Sequence, residues 1–407
     1  MRKLETSHQE FLLSEAKSLL NFAQGSVLDS GGFGYLNAEG KVDSSKPLEC
    51  YLQARKIQVF GLGHLMRLGE YKELVQHGVN SLNNLFRDKK NGGFYNAVDL
   101  SGNPESNTKF AYDHMFVLLA STTAVEVGVD GAQELLNYVE KIIEKYFWDD
   151  GYKMMKNDWD QQFSSLSPYR GINANMHAVE ALTAAFESTG RVEFRDRAYA
   201  ISKRAVDTFA RNNDWMLPEH FDAKWNVEKD FNIDNPADPF RPFGVTIGHL
   251  FEWSRLILQI ELCMEETSVD SGWVLEGAQR MYAIAKESGW AVDGGSGFVY
   301  TIDWEKNPVV SSRMQWVAAE AVMSAYMLWK RTGEDRYLDD YLLWWKYIQD
   351  YVIDKQLGSW NHEMNKYQEV TTNTWPGKPD VYHAFNACIF PLLPLTGSFI
   401  GATKKSR

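Results

Sequence analysis

The segment NANMHAVEALTAAF (residues 173–186) carries small or apolar residues at most positions of a helical repeat. A helix that is apolar on nearly all sides has no broad face to turn to water, so this one is predicted to lie inside the protein. Its polar side chains are concentrated at the beginning, at Asn173, Asn175, His177 and Glu180. The sequence therefore predicts a buried helix whose first turns carry polar groups.

Five further segments have this character, and they alternate with a second kind of helix. One residue marks each buried segment, and the markers are 58 to 72 residues apart: Arg55, Asp113, His177, His249, Trp316 and His383. The second kind, such as VEFRDRAYAISKRAVDTFA (residues 192–210), has charged residues on one face and apolar residues on the other, which is typical of a surface helix. Six helices of each kind in alternation indicate a loose internal repeat.

Each surface helix is separated from the next buried helix by a stretch rich in glycine and aromatic residues, such as GGFYNAVDLSGN (residues 92–103). Glycine permits tight turns and aromatic residues suit short strands, so β-hairpins are predicted there. Six helix pairs joined in this way can close into a ring. We predict an all-α (α/α)6 barrel, a toroid of six inner and six outer helices with short β-hairpins, formed by residues 1–407 as a single domain. An open solenoid is the alternative, and the irregular spacing of the repeat argues against it.

The composition limits the classes of partner. The formal net charge of −12 argues against nucleic acid or an anionic membrane as a partner. No apolar run approaches the roughly 18 residues of a membrane span, and the amino-terminal segment lacks the pattern of a secretory signal, so we expect a cytoplasmic protein. The three cysteines are far apart in the sequence, which predicts buried thiols and neither disulfides nor a zinc site. The 14 tryptophans make a carbohydrate a candidate ligand, because indole rings pack against the C–H faces of sugars.

Closure of the ring would bring the polar starts of the inner helices around one cavity. His177, His249 and His383 occupy the same place in three different repeats. The spacing His-x-x-Glu occurs at His177/Glu180 and at His249/Glu252, and residues three apart share one face of a helix. A carboxylate beside an imidazole fixes its tautomer and raises its basicity, which suits acid/base catalysis near neutral pH.

Two other kinds of chemistry fit some of these residues. Paired Glu-x-x-His motifs hold di-iron centres in helical bundles, but here the order is reversed and H-E-x-x-H is absent, so we expect no metal. A glycoside hydrolase needs two carboxylates across the scissile bond, and Asp113, Glu252 and Glu320 keep this alternative open. The histidines fit the removal of a proton next to a carbonyl group better.

Several motifs together resemble those of a known family. The segments LECYLQARKIQVFGLG (residues 48–63), NANMHAVEAL (173–182), GHLFEWSRL (248–256), RMQWVAAEAV (313–322) and KPDVYHAFNACIFPLLP (378–394) are similar to motifs of the N-acylglucosamine 2-epimerase superfamily. The likeness extends over essentially the whole chain and is strongest to the aldose–ketose isomerase branch, which includes D-mannose and sulfoquinovose isomerases. It implies an (α/α)6 barrel that interconverts D-mannose and D-fructose, and related aldoses such as D-lyxose, without a metal or another cofactor.

The resemblance also implies a role for each site residue. His249 and His383 would be the acid/base pair that moves a proton between C2 and C1 of the sugar through a cis-enediol. His177 would assist ring opening or hold the ring oxygen and O1, and Glu252 would orient His249. Arg55 would bind sugar oxygens and stabilise the enediolate. The remaining residues would line the substrate pocket: Tyr112, Asn173, Trp316, Glu320 and Trp375.

Two local differences bear on the substrate. Epimerases for cellobiose and N-acylglucosamine commonly carry a Trp-Trp pair before a proline and a glutamate in the fifth inner helix, whereas this chain has MQWVAAEA (residues 314–321). Sulfosugar isomerases need cationic or amide groups around the far end of the substrate, where this chain has Pro379 and Asp238. We therefore expect an uncharged monosaccharide, with a 2-epimerase or a sulfoquinovose isomerase as alternatives. A monomer or a small homo-oligomer is expected.

Overall fold

The computed structural model describes residues 2–264 and 272–407, and in these ranges the fold consists mainly of helices. The α-helices, in chain order, are α1 (Thr6–Gln24), α2 (Cys50–Leu65), α3 (Lys72–Ser81), α4 (Ala111–Val127), α5 (Ala132–Ile142), α6 (Ile172–Thr189), α7 (Val192–Ser202), α8 (Ile247–Glu261), α9 (Gly272–Gly289), α10 (Gln315–Thr332), α11 (Asp335–Tyr347), α12 (Tyr382–Ile389) and α13 (Phe399–Ser406). Helices α3, α5, α7 and α11 continue as π-helical turns: Leu82–Phe86, Ile143–Phe147, Lys203–Ala210 and Ile348–Val352.

Six of these helices form a closed inner ring. Helix α2 packs against α4, α4 against α6, α6 against α8, α8 against α10, α10 against α12, and α12 against α2. Outside the ring, α3, α5, α7, α9 and α11 each pack against the inner helix that precedes them, and α1 packs against α12. The first and last helix pairs of the repeat therefore meet. The predicted (α/α)6 barrel is confirmed, and the open solenoid is wrong.

The two kinds of helix differ in burial as their sequences predict. Every residue of α2 from Cys50 to Gly63 is buried, whereas α5 buries one stripe and exposes the rest. Burial stabilises the inner ring because each fully buried Leu- or Phe-sized side chain contributes roughly 1.5–3 kcal/mol. Helices α6 and α10 end at Gly190 and Gly333, whose left-handed φ angles of 74° and 75° allow a sharp turn into the next outer helix. None of the helices in the described ranges combines the length and apolar character needed to cross a bilayer.

The carboxyl-terminal region differs from the predicted repeat. The segment YHAFNACIFPLLPL (residues 382–395) has the pattern of one inner helix, but α12 ends at Ile389 and a 3-10 turn follows at Phe390–Leu392. Pro391 ends the α-helix because it lacks a backbone N–H and its ring clashes with the preceding turn. Helix α13, which the repeat does not indicate, packs against α6 and α2.

Short antiparallel strand pairs fix the beginnings of the inner helices. The pairs are β1 (Leu48–Glu49) with β2 (Ala97–Val98), β3 (Thr108–Phe110) with β6 (Asp158–Asp160), β4 (Trp148–Asp149) with β5 (Met154–Met155), β7 (Arg170–Gly171) with β8 (His220–Phe221), β9 (Val245–Thr246) with β10 (Thr301–Ile302), β10 with β11 (Pro308–Val310), and β12 (Arg313–Met314) with β13 (Glu363–Met364). The pairs β4–β5 and β10–β11 are hairpins, as predicted. The other pairs connect the strand in front of an inner helix to a loop of the following repeat.

Candidate active site

A cavity opens among the beginnings of the six inner helices, all of which contribute side chains to it. Nine of the ten residues predicted for the site line it: Arg55, Tyr112, Asn173, His177, His249, Glu252, Trp316, Trp375 and His383. Further lining residues that were not assigned a role from the sequence include Tyr51, Phe240, Tyr300, Gln315, His362 and Asp380. The structure thus brings together side chains from positions 51 to 383 of the chain.

Two histidines of the cavity wall each have Nδ1 beside a buried glutamate. Nδ1 of His249 lies 2.9 Å from Oε1 of Glu219. Nδ1 of His383 lies 2.8 Å from Oε1 of Glu320. A carboxylate at Nδ1 fixes the tautomer, so Nε2 is the nitrogen that accepts or releases a proton. Both imidazoles therefore have the arrangement of a general acid or base.

The glutamate beside His249 is not the one that the sequence indicates. The His-x-x-Glu spacing assigns Glu252 to His249, and this prediction is wrong. Nδ1 of His249 contacts Glu219, which is the residue immediately before β8. The carboxylate of Glu252 instead lies 3.9 Å from Nδ1 of His177. Glu219 lies in WMLPEHFDAKW (residues 215–225), another aromatic stretch between an outer helix and the next inner helix. A carboxylate beside a strand that pairs in front of an inner helix is the signal that this segment contains.

Glu320 lies behind His383 and does not line the cavity, so the prediction of a pocket-lining role for Glu320 is wrong. Its Oε2 accepts hydrogen bonds from Nε and Nη2 of Arg255, at 3.1 and 2.9 Å. Burial raises the pKa of Glu320, but the charges of Arg255 and His383 and their hydrogen bonds outweigh this and hold the pKa below its usual range. An ionised carboxylate therefore supports the imidazole of His383.

The third cavity histidine also has a carboxylate at Nδ1. Nδ1 of His177 lies 3.2 Å from Oε2 of Glu180, and the other oxygen of Glu180 accepts a hydrogen bond from the hydroxyl of Tyr382. Burial lowers the pKa of His177 to about 4. Burial raises the pKa of Glu180, but the hydrogen bond and charge of His177, with Arg255, bring it down to about 2. At neutral pH the pair is therefore a neutral imidazole beside an ionised carboxylate.

Trp316 contacts both of the carboxylate-supported histidines, His249 and His383. Its ring centre is 5.3 Å from that of His249 and 5.7 Å from that of His383. The indole also fits against Gly248, where an added Cβ would come within 2.2 Å of a ring carbon of Trp316. The absence of a side chain at Gly248 thus allows the indole to occupy its position against the two imidazoles.

Arg55 is held in the wall by charge and by aromatic rings. Nη1 donates a hydrogen bond to the carboxylate of Asp380, and Nη2 donates to the hydroxyl of Tyr112 at 2.9 Å. The guanidinium carbon lies 4.4 Å from the ring centre of Phe116 and 4.8 Å from that of Tyr382. Burial raises the pKa of Asp380, but the charge of Arg55 brings it down to about 2. Asp380 belongs to the KPDVY motif, yet the sequence did not assign it this role.

The loop that carries Trp375 is fixed from beneath by a buried carboxylate. Oε2 of Glu363 accepts hydrogen bonds from the backbone N–H groups of Thr374 and Trp375, at 2.7 and 3.0 Å. The indole of Trp375 contacts the ring of Phe240 edge to face, with centres 5.4 Å apart. Phe240 is 39% exposed, so this aromatic pair stands at the border between the cavity and the surface.

Buried His and Glu side chains come close together at the cavity wall in two groups among the described residues. In the group of Glu252, Glu320 and His383, one polar atom from each lies within 4.8 Å of the others. The guanidinium of Arg255 already supplies positive charge there, because it donates to Glu320 and lies 3.6 Å from Glu252. A divalent cation would be repelled by this charge, so the donor set does not fit a metal ion. The metal-free reaction stays a prediction.

The closed ring and the paired histidines define a class of protein, an (α/α)6 barrel with an acid/base pocket at the amino ends of its inner helices. The model of the family described as N-acylglucosamine 2-epimerase (GlcNAc 2-epimerase) matches residues 31–387, and this chain belongs to that family. The family resemblance found in the sequence is confirmed.

The chain is similar to enzymes with a named activity. A D-mannose isomerase of Thermobifida fusca is 40% identical over 397 residues, which cover 97% of each chain. A D-mannose isomerase of Pseudomonas cannabina pv. alisalensis is 38% identical over 397 residues, covering 97% of this chain and 95% of the relative. A crystal structure of a D-mannose isomerase superposes with a TM-score of 0.89 and 26% identity, covering 96% of this chain and 99% of the other.

Proposed function

We propose that this chain is an aldose–ketose isomerase that interconverts D-mannose and D-fructose. The observation that carries the proposal is that His249 and His383 both contact Trp316 and that each has a buried glutamate at Nδ1. Two positioned imidazoles suit the transfer of a proton between adjacent carbons, because one can accept a proton and the other can donate one. The named activity of relatives that are 38% and 40% identical over nearly the whole chain supports the same function.

The reaction exchanges protons within the open-chain sugar. Nε2 of one imidazole removes the proton from C2, a C1=C2 double bond forms, and O1 gains a proton, which gives a cis-enediol. A protonated imidazole then returns a proton to C1 while the hydroxyl at O2 loses its proton and C2=O forms. Protons and electrons balance within the sugar, so the reaction consumes no oxidant, reductant or cofactor.

His177 and Arg55 have separate tasks in this proposal. Opening of the sugar ring moves a proton from the O1 hydroxyl to the ring oxygen, and His177, which is neutral at pH 7, is able to relay it. Arg55 stabilises negative charge on the enediolate oxygens, because Asp380 and Tyr112 hold its guanidinium in place. Nε of Arg55 and Oδ1 of Asn173 are buried and have no hydrogen-bond partner among the described residues.

The lining supports an uncharged monosaccharide as the substrate. The charge of Arg55 is compensated by Asp380, and Pro379 lines the cavity where a sulfosugar isomerase would need a cationic or amide group. Tyr51, Trp316 and Trp375 offer aromatic faces to the C–H groups of a sugar. In the same proposal, residues 1–407 act as a single metal-free catalytic domain, cytoplasmic, as a monomer or a small homo-oligomer, with neither nucleic acid nor a membrane as a partner.

Incubation of the EDTA-treated protein with D-mannose tests the function, with the product identified by NMR. D-Fructose is expected, and a protein that forms no ketose from mannose would contradict the proposal. Formation of D-glucose would indicate a 2-epimerase, and conversion of sulfoquinovose alone would indicate a sulfosugar isomerase. Cleavage of an oligosaccharide that survives His383→Ala would indicate a glycoside hydrolase.

A further inference from the structure

Two carboxylates are buried close together at the cavity. Arg255 donates hydrogen bonds to one of them, Glu320, and lies 3.6 Å from the other, Glu252. Glu252 and Glu320 are each 1% exposed, and a carboxylate oxygen of each lies within 4.8 Å of the other. At this separation and burial two negative charges repel each other strongly, because the surrounding protein screens them far less than water does. The pair therefore needs either two compensating cations or a proton.

Arg255 compensates Glu320. Its Nε and Nη2 donate to Oε2 of Glu320, and its Nη1 donates to Oε1 of Gln259 at 2.6 Å. The nearest approach of Arg255 to Glu252 is 3.6 Å, and Oε1 of Glu252 has no hydrogen-bond partner among the described residues. Burial of an ionised carboxylate with one oxygen unpaired would cost free energy, and protonation of the acid avoids most of that cost.

The other groups around Glu252 do not supply a free positive charge. They come from the five inner helices other than α8, which carries Glu252: Arg55, Tyr112, His177, Glu180, Glu320, Tyr382 and His383. Arg55 is paired with Asp380, and Glu180 adds a further negative charge. Burial first, and the charge of Glu320 next, raise the pKa of Glu252 well above its usual range.

We propose that Glu252 is a neutral carboxylic acid in the resting site and carries the proton that moves between O1 and O2 of the sugar. The carboxylic acid donates its proton to O1 while an imidazole removes the proton from C2. The resulting carboxylate takes the proton from the O2 hydroxyl as C2=O forms, so Glu252 is neutral again at the end of the cycle. Glu252 lines the cavity one helical turn after His249, on the same face of α8. The proton-transfer role rests on the proposed isomerase function, whereas the protonation of Glu252 does not.

Infrared difference spectroscopy near neutral pH tests the protonation without any substrate. The wild type minus Glu252→Gln spectrum is expected to show the carbonyl band of a protonated carboxylic acid. Wild type minus Asp380→Asn is the control and should show carboxylate bands, because Arg55 keeps Asp380 ionised. Carboxylate bands in the Glu252 spectrum would overturn the proposal. If Glu252→Gln does not fold, the carboxyl resonance of Glu252 in wild-type protein labelled with ¹³C-glutamate shows whether this group is protonated.

Kinetics then test the transfer step. Glu252→Gln keeps the shape and neutral charge of the acid but has no transferable acidic proton, so kcat for mannose should fall at least about 100-fold. The Kd for D-mannitol, which lacks the carbonyl group and so binds without reacting, should change far less than kcat. A kcat near that of the wild type would overturn the role in proton transfer. If the wild type isomerises no sugar, the proposed function fails, and the infrared result still decides whether Glu252 is protonated.

Discussion

Nδ1 of His249 and Oε1 of Glu219 are 2.9 Å apart, although the two residues are 30 positions apart in the sequence. Glu219 directly precedes β8, which pairs with β7 at the start of α6, and its backbone carbonyl accepts a hydrogen bond from the N–H of Ile172 at 3.0 Å. The carboxylate is thereby fixed between the beginnings of α6 and α8. A neighbouring repeat supplies the group that orients the imidazole of His249.

Glu219→Gln should therefore lower kcat by roughly 100-fold, because a neutral amide stabilises the imidazolium form of His249 far less than a carboxylate does. The KM for mannose should change less than kcat, since Glu219 does not line the cavity. Glu228→Gln, on the exposed part of the following loop, is the matched control and should keep wild-type turnover. Equal turnover in the Glu219 and Glu228 variants would show that the hydrogen bond to His249 is not needed for catalysis.

Replacement of either carboxylate-supported histidine should remove most of the activity. His249→Ala and His383→Ala are each expected to lower kcat by about 10²–10⁴-fold, the range that a positioned acid or base supplies. His77→Ala serves as the control, because His77 lies outside the cavity and its Nε2 bonds to the carbonyl of Gly32. Circular dichroism and melting temperature show whether each variant is folded. Near-normal turnover by either alanine variant would overturn its assigned role.

The ring could be predicted from the sequence because it follows from local patterns. Helix α6 is apolar on most sides and α5 on one stripe, and this difference alone places one inside the barrel and the other outside. The same regularity explains why the predicted residues meet, since His177, His249 and His383 lie in the early turns of inner helices that start at one cavity.

The pairing of acids with histidines could not be predicted in the same way. Glu219 reaches His249 through the β7–β8 pairing, and Glu320 reaches His383 across the packing of α10 against α12. Both contacts depend on how separate repeats pack together. The spacing of His249 and Glu252 is a local signal, and it indicated the wrong partner because a residue from another element was closer.

Gly248→Ala should disturb the site through Trp316. The new Cβ would lie 2.2 Å from a carbon of the indole, so the ring must move away from its position against His249 and His383. We expect a loss of roughly 1–3 kcal/mol in the free energy of unfolding, as for other overpacked sites, together with a lower kcat.

Gly61→Ala is the matched control for this substitution. Its Cβ would come within 2.3 Å of Cγ2 of Thr123, a comparable overlap on inner helix α2, but neither residue lines the cavity. The control should lose stability and keep kcat. Urea unfolding and steady-state kinetics measure the two quantities, and equal effects on kcat in both variants would show that the position of Trp316 does not matter.

Acid should destabilise the fold through His114, which is fully buried. Its Nε2 accepts a hydrogen bond from the N–H of Phe94 at 3.1 Å, and its Nδ1 lies 2.7 Å from the carbonyl oxygen of Phe110, so the ring is neutral. Burial lowers its pKa from 6.5 to about 3. Below pH 6.5 the unfolded chain binds a proton that the folded protein does not, so the free energy of unfolding falls as the pH falls toward 3.

The loss due to His114 amounts to about 2 kcal/mol between pH 7 and pH 5. In His114→Gln, the difference in the free energy of unfolding between these two pH values should be smaller than in the wild type by about this amount, as measured by urea unfolding. Phe94→Leu is the control, because it removes packing against His114 without removing a titrating group and should lower stability equally at both pH values. If His114→Gln and the wild type lose the same stability on acidification, His114 must accept a proton in the folded protein as readily as in the unfolded chain.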